Sequence, residues 1–217
     1  MTHRVVRILG AAAVVACLSV GAVPRSVAPA SAAPMAMMDD GATALRVALN
    51  GLLQEHAYLA TLATGAALQG RTADFQAAGA ALDGNSVDLS KAIGSIYGSG
   101  AEQAFLPLWR KHIGFFVDYT TGLATKDKAK QDKAVNDLIG YTQDFGAFLN
   151  SANPTLPKDT VAGLVKEHVL TLKAVVDAQA ARTPDKADQA LRMAAAHMQH
   201  IADPLAAAIV EQFPDRF

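Results

Sequence analysis

Three short stretches decide how this chain folds: QEHAYLA (Gln54–Ala60), RKHIGFF (Arg110–Phe116) and KEHVLTL (Lys166–Leu172). Each carries one histidine, and His56, His112 and His168 stand 56 residues apart, twice over. The same shift aligns Leu52, Leu108 and Leu164, and Ala78, Ala134 and Ala190. It also aligns the apolar sets Leu49/Phe105/Val161, Leu89/Phe145/Ile201 and Ile93/Leu149/Leu205. The breaks fall in step as well: Arg71-Thr72, Asp127-Lys128 and Thr183-Pro184. Apolar periodicity alone would not also align rare residues and turns. The region 45–217 therefore reads as three tandem αα-hairpins of 56 residues, at about 45–100, 101–156 and 157–212.

Helix formers dominate this region, and Gly and Pro punctuate it. The pattern predicts an all-α bundle of six antiparallel helices at roughly 41–69, 72–97, 102–125, 128–150, 158–181 and 185–212. Thr183 reads as an N-cap with Pro184 in the first turn. Pro204, inside the last helix, should kink it just past His200.

Residues three and four apart share a helix face. On that spacing His56 belongs with Leu45, Leu49, Leu52, Leu59 and Ala63. His112 belongs with Phe105, Leu108, Phe115 and Tyr119, and His168 with Val161, Leu164, Leu172 and Val175. Each imidazole thus takes the place of a core side chain. Left unpaired there, it would cost about 1–3 kcal/mol.

Residues equidistant from a hairpin turn lie at one height. His56 is then level with Asp88, His112 with Asp144 and His168 with His200. One turn nearer the loop lie Asn85, Tyr141 and His197, also equivalent to one another. Apart from His3, every histidine of the chain falls on this lattice. An exchange of carboxylate for imidazole preserves a metal ligand and does not preserve an ion pair. His56, Asp88, His112, Asp144, His168, His197 and His200 are accordingly the candidate ligands, for Cu, Zn, Fe or Mn. Two packings differ in what they bring together. Hairpins closed around a pseudo-threefold axis would converge the three histidines at positions 56, 112 and 168. A linear stack would leave two-residue sites, with His168, His197 and His200 the best cluster.

Met193 and Met198 flank His197, and Met35, Met37 and Met38 precede the first helix; thioether with imidazole is a copper preference. The Glu-x-x-His pairs of ferritin-like di-iron sites are absent. No Ser–His–Asp order, Gly-rich phosphate loop or paired acid/base set is visible, which argues against an enzyme.

The 217-residue chain is 51% hydrophobic and 18% charged, as expected for one globular domain. Arg4 and Arg7 followed by the apolar run Ile8–Val23 and Ala30-Ser31-Ala32 read as a signal peptide over 1–32, and 33–44 as a flexible lead-in. The product is expected outside the cytoplasm. Val14-Val15-Ala16-Cys17 also resembles a lipobox, which would anchor a lipoprotein at Cys17. Removing 1–32 takes away three arginines and no acid, leaving 16 basic and 20 acidic side chains and a formal charge of −4. Such a balance argues against nucleic acid as a partner.

The stretches LDGNSVDLSKAIGSIYG (82–98), FLPLWRKHIGFFVDYT (105–120), AAAHMQHIADPLAAAI (194–209) and the ending QFPDRF resemble the helical domain of secreted proteins from Bacillus-type bacteria and actinomycetes. In some of these it follows a module named after the N-terminal domain of copper amine oxidases. The resemblance implies export and all-α structure; it implies no activity.

Three functions fit these residues. The first is an exported metal-binding bundle for storage, delivery or sensing. The second is a structural or interaction module with a protein partner in the cell envelope, its histidines serving as core hydrogen-bond partners. The third is a haem or small-ligand binder walled by Trp109, Phe115, Phe116 and Tyr119.

Overall fold

The computed structural model describes residues 40–217. The segment 1–32 that reads as a signal peptide, Cys17 within it, and the Met35–Met38 group lie outside the described residues. Six α-helices follow one another: α1 (Asp40–Leu68), α2 (Thr72–Tyr97), α3 (Ser99–Ala124), α4 (Lys128–Ala152), α5 (Lys158–Ala180) and α6 (Pro184–Gln212). A 3-10 turn, Pro214–Arg216, ends the chain. The all-α expectation holds, with helix ends within a few residues of those read from sequence. α1 begins at Asp40, inside the segment expected to be a flexible lead-in. A Cβ built on Gly41 would lie 3.2 Å from the Cα of Phe217, so the first turn of α1 is packed against the end of the chain.

The three hairpin turns share one hydrogen-bond pattern. Gly70 N–H donates to the Ala67 carbonyl and Arg71 N–H to that of Ala66. Fifty-six residues on, Lys126 pairs with Leu123 and Asp127 with Gly122; after another such step, Arg182 pairs with Gln179 and Thr183 with Ala178. These are the 5→2 and 6→1 bonds of a Schellman stop. The residue at its left-handed position has φ of 70° at Gly70, 57° at Lys126 and 56° at Arg182. Only the first repeat uses glycine there, and the two long side chains hold a backbone conformation that costs about 1–2 kcal/mol.

Each helix packs on its neighbours in sequence, and α6 closes back on α1. α1, α3 and α5 also touch one another in pairs. The hairpins therefore close around an axis, with the odd helices inside and the even helices outside. Ring closure has its own polar lock. Arg46 donates two hydrogen bonds to Asp203, at 2.8 and 2.5 Å, and Asn50 adds a third at 2.8 Å. Arg216 donates to the carbonyls of Ile96 and Ser95 at the end of α2.

α6 runs unbroken past Pro204. α3 likewise runs past Pro107. Both prolines sit on exposed faces, where water can take the carbonyl that a missing N–H leaves free. Among the described residues no helix is long and apolar enough to cross a membrane.

Candidate metal centre

The histidines of the three inner helices meet on the axis. His56, His112 and His168 are 1%, 2% and 3% exposed. Each offers a ring nitrogen, and these atoms all lie within 4.8 Å of one another. His56 Nε2 and His112 Nε2 stand 3.3 Å apart. Two ligands of one tetrahedral ion, each about 2.0–2.1 Å from it, stand roughly 3.3–3.4 Å apart. The ring centres of His56 and His168 are 5.8 Å apart, against 5.2 Å for His56 and His112.

The surroundings are apolar and aromatic. Trp109 lies edge-on to His112 with ring centres 4.6 Å apart, and 4.9 Å from His56. Tyr141 stacks on His112 at 4.9 Å. Trp109 shares its repeat position with Leu53 and Val165, and all three are buried, so one repeat places a large ring where the others place an aliphatic group. The sequence suggests a single aromatic wall that includes Trp109. Instead those aromatics separate: Trp109 joins the triad's layer, while Phe116 and Tyr119 belong to a second core cluster toward the hairpin turns.

Burial strips water from the imidazoles and disfavours their charged forms. Desolvation, followed by repulsion from His112 and His168, holds His56 well below the ordinary histidine range. Burial, then the charge of His168, takes His112 down to about 3, with the Trp109 backbone opposing. Burial and then His197 take His168 down to about 4. All three rings are neutral near pH 7, the state in which a ring nitrogen can bind a metal.

Four ring nitrogens here have no protein partner: Nδ1 of His56, of His112 and of His168, and Nε2 of His168. Trp109 Nε1, the Tyr141 hydroxyl and Asn85 Oδ1 are buried and unpaired as well. Unpaired buried polar atoms are few in a native interior and need a reason where they gather.

The outer-helix candidates fare differently. Asp88 and Asp144 are exposed and pair with Lys91 and Lys111 at the surface. His200 is exposed too. None of the three joins the site: they are level with the triad but point away from the axis. The line one turn nearer the loops is the buried one. Asn85 Nδ2 donates to the Leu52 carbonyl at 2.9 Å, and His197 Nε2 pairs with the Leu164 carbonyl at 2.9 Å. Leu52 and Leu164 each precede a triad histidine by four residues. Asn85 and His197 therefore brace the backbone turn that carries His56 and His168, and His197 Nε2 is engaged by the Leu164 carbonyl. Tyr141, third in that line, braces by ring stacking. Of the two methionines that flank His197, Met193 is 65% exposed, whereas Met198 is fully buried. Met198 lines a cavity of about 30 Å3 with Trp109, Tyr141, His112 and His168, so it is the methionine near the triad.

Searches for relatives found none: no family model, no curated protein and no solved structure matches this chain.

Proposed function

We propose that the protein binds one transition-metal ion at His56, His112 and His168, and serves as an exported carrier or store for it. The observation that carries this reading is the convergence of three neutral, buried imidazoles, each offering a ring nitrogen within 4.8 Å of the others. An ion accepting one lone pair from each ring would offset the cost of burying them. With no carboxylate in the cluster, the donor set favours Zn(II) or copper over Mn, and Met198 beside the rings adds a copper-preferring sulfur. The signal-peptide pattern over 1–32 supports a role outside the cytoplasm.

The test is metal content. Protein purified without added metal, and again after exposure to Zn(II) or copper and desalting, is assayed by elemental analysis beside His168→Ala and His112→Ala. About one equivalent in wild type, lost in both variants, is the expected result. Co(II) loading adds a visible spectrum that reports tetrahedral coordination. Metal-free wild type that also fails to take up either ion would overturn the reading.

A second reading rests on one distance. The 3.3 Å between His56 Nε2 and His112 Nε2 also suits a hydrogen bond, which would make the triad a structural core of an interaction module. It gives His168 no partner, and it expects the same variants to lose stability with no metal bound at any stage.

A further inference from the structure

The threefold pattern breaks on one face. Beyond His56, α1 continues with Ala60, Ala63 and Ala67. The equivalent residues of the second repeat are Phe116, Tyr119 and Leu123, and those of the third are Leu172, Val175 and Gln179. Where the other two repeats fill the space with large side chains, the first leaves it open. A cavity of about 220 Å3 lies there, between α1, α2 and α3. It reaches inward to His56 and His112 and outward to Val117, Thr121 and Ala124, which are exposed.

We infer that this cavity is a binding site for a small, uncharged, mainly apolar molecule, about the size of one or two fused aromatic rings, held against His56 and His112. An apolar cavity of roughly 150 Å3 accepts benzene, so this one has room for a somewhat larger guest. Its lining contains no Asp, Glu, Lys or Arg to compensate an ion. Its threonine hydroxyls already donate: Thr64 to the Gln179 side-chain oxygen at 2.9 Å, and Thr120 and Thr121 to the Phe116 and Val117 backbone carbonyls. The two imidazoles and the threonine oxygens, as acceptors, remain to receive a single polar group of the guest. The inference stands without a metal. With an ion on the triad, the same guest would lie beside it.

Indole is a suitable probe: it is flat, uncharged and carries one N–H. Metal-free full-length protein is titrated with indole, with benzoate as the charged control, by calorimetry and by NMR of alanine methyls. Saturable one-to-one binding of indole that shifts the methyls of Ala60 and Ala63, with none for benzoate, is the expected result. Ala60→Leu and Ala67→Leu copy the residues of the third and second repeats and should weaken indole at least tenfold; either alone suffices if the other fails to fold. No saturable binding to wild type, or unchanged binding in a folded variant, overturns the inference. Metal content is read on the same samples. Indole binding by protein that takes up no metal sinks only the metal proposal, and metal uptake without indole binding sinks only this one.

Discussion

The inner and outer helices carry the same 56-residue ruler and use it differently. On α1, α3 and α5 the repeated residue is one histidine, buried each time, and the three copies meet. On α2, α4 and α6 the repeated position holds Asp88, Asp144 and His200, exposed each time, and the copies stay apart on the surface. Repetition says that positions are equivalent; only the direction of a side chain relative to the axis says whether equivalents converge. Each residue on the axis sees its two copies, whereas each residue on the outside sees solvent.

The pH response of metal-free protein should separate the two sets most strongly. His112 and His168, at about 3 and 4, and His56, also lowered, titrate near 6.5 once unfolded. The folded state therefore binds fewer protons than the unfolded one, and stability is full above pH 6.5 and lost as pH falls toward 4. With three such groups the slope approaches ~4 kcal/mol per pH unit. Urea midpoints between pH 7 and 4.5 measure it, and His168→Leu should flatten it by about a third. A flat profile would mean that the rings are not buried neutral.

Next in size is the replacement of the triad itself. Leucine at 168 removes two unpaired polar atoms from the core and strands no partner, so His168→Leu in metal-free protein should gain ~1–3 kcal/mol at pH 7 while losing metal uptake. Loss of stability instead would show that the rings are well partnered, as the structural reading requires. A smaller effect tests the helices that carry them. Gly51 and Gly163 sit at one repeat position, five residues before a triad histidine, and a methyl added at either would meet nothing within 4 Å. Gly51→Ala and Gly163→Ala should each add about 0.5–1 kcal/mol by thermal melt. Smallest of all, Asp88→Asn and Asp144→Asn disrupt exposed ion pairs, and should change stability by less than ~0.5 kcal/mol and leave metal uptake intact. A drop in uptake would bring the outer line back into the site.

Much of this is legible in the residues. The ruler, the turns and the inward face of the odd helices all follow from spacing. The closure of the hairpins is one of two packings the sequence leaves open, because no local pattern encodes which surfaces meet at long range. The misplacement of the outer-helix ligands has a different origin: height along a hairpin says nothing of phase around it. Leu82, Asn85, Ser86, Leu89 and Ile93 form one buried stripe on α2, and Asp88 is out of phase with it. That stripe is present in the sequence, and it points to Asn85 rather than Asp88. The open cavity is legible too, in the alanines that replace Phe116, Tyr119 and Leu123, but a missing side chain marks a cavity only once the neighbouring helices are known.

The contact between Gly41 and Phe217 means that the two ends of the described chain meet. A closed circuit of hairpins has no privileged point of entry. A circular permutant sealed between those ends and opened in the 153–157 connection would trace the same circuit, with the triad untouched. The order in which the hairpins are strung is thus separable from the site they enclose, and so in principle is their covalent linkage: a single hairpin with a histidine at this height, present in three copies, would have the symmetry to build it.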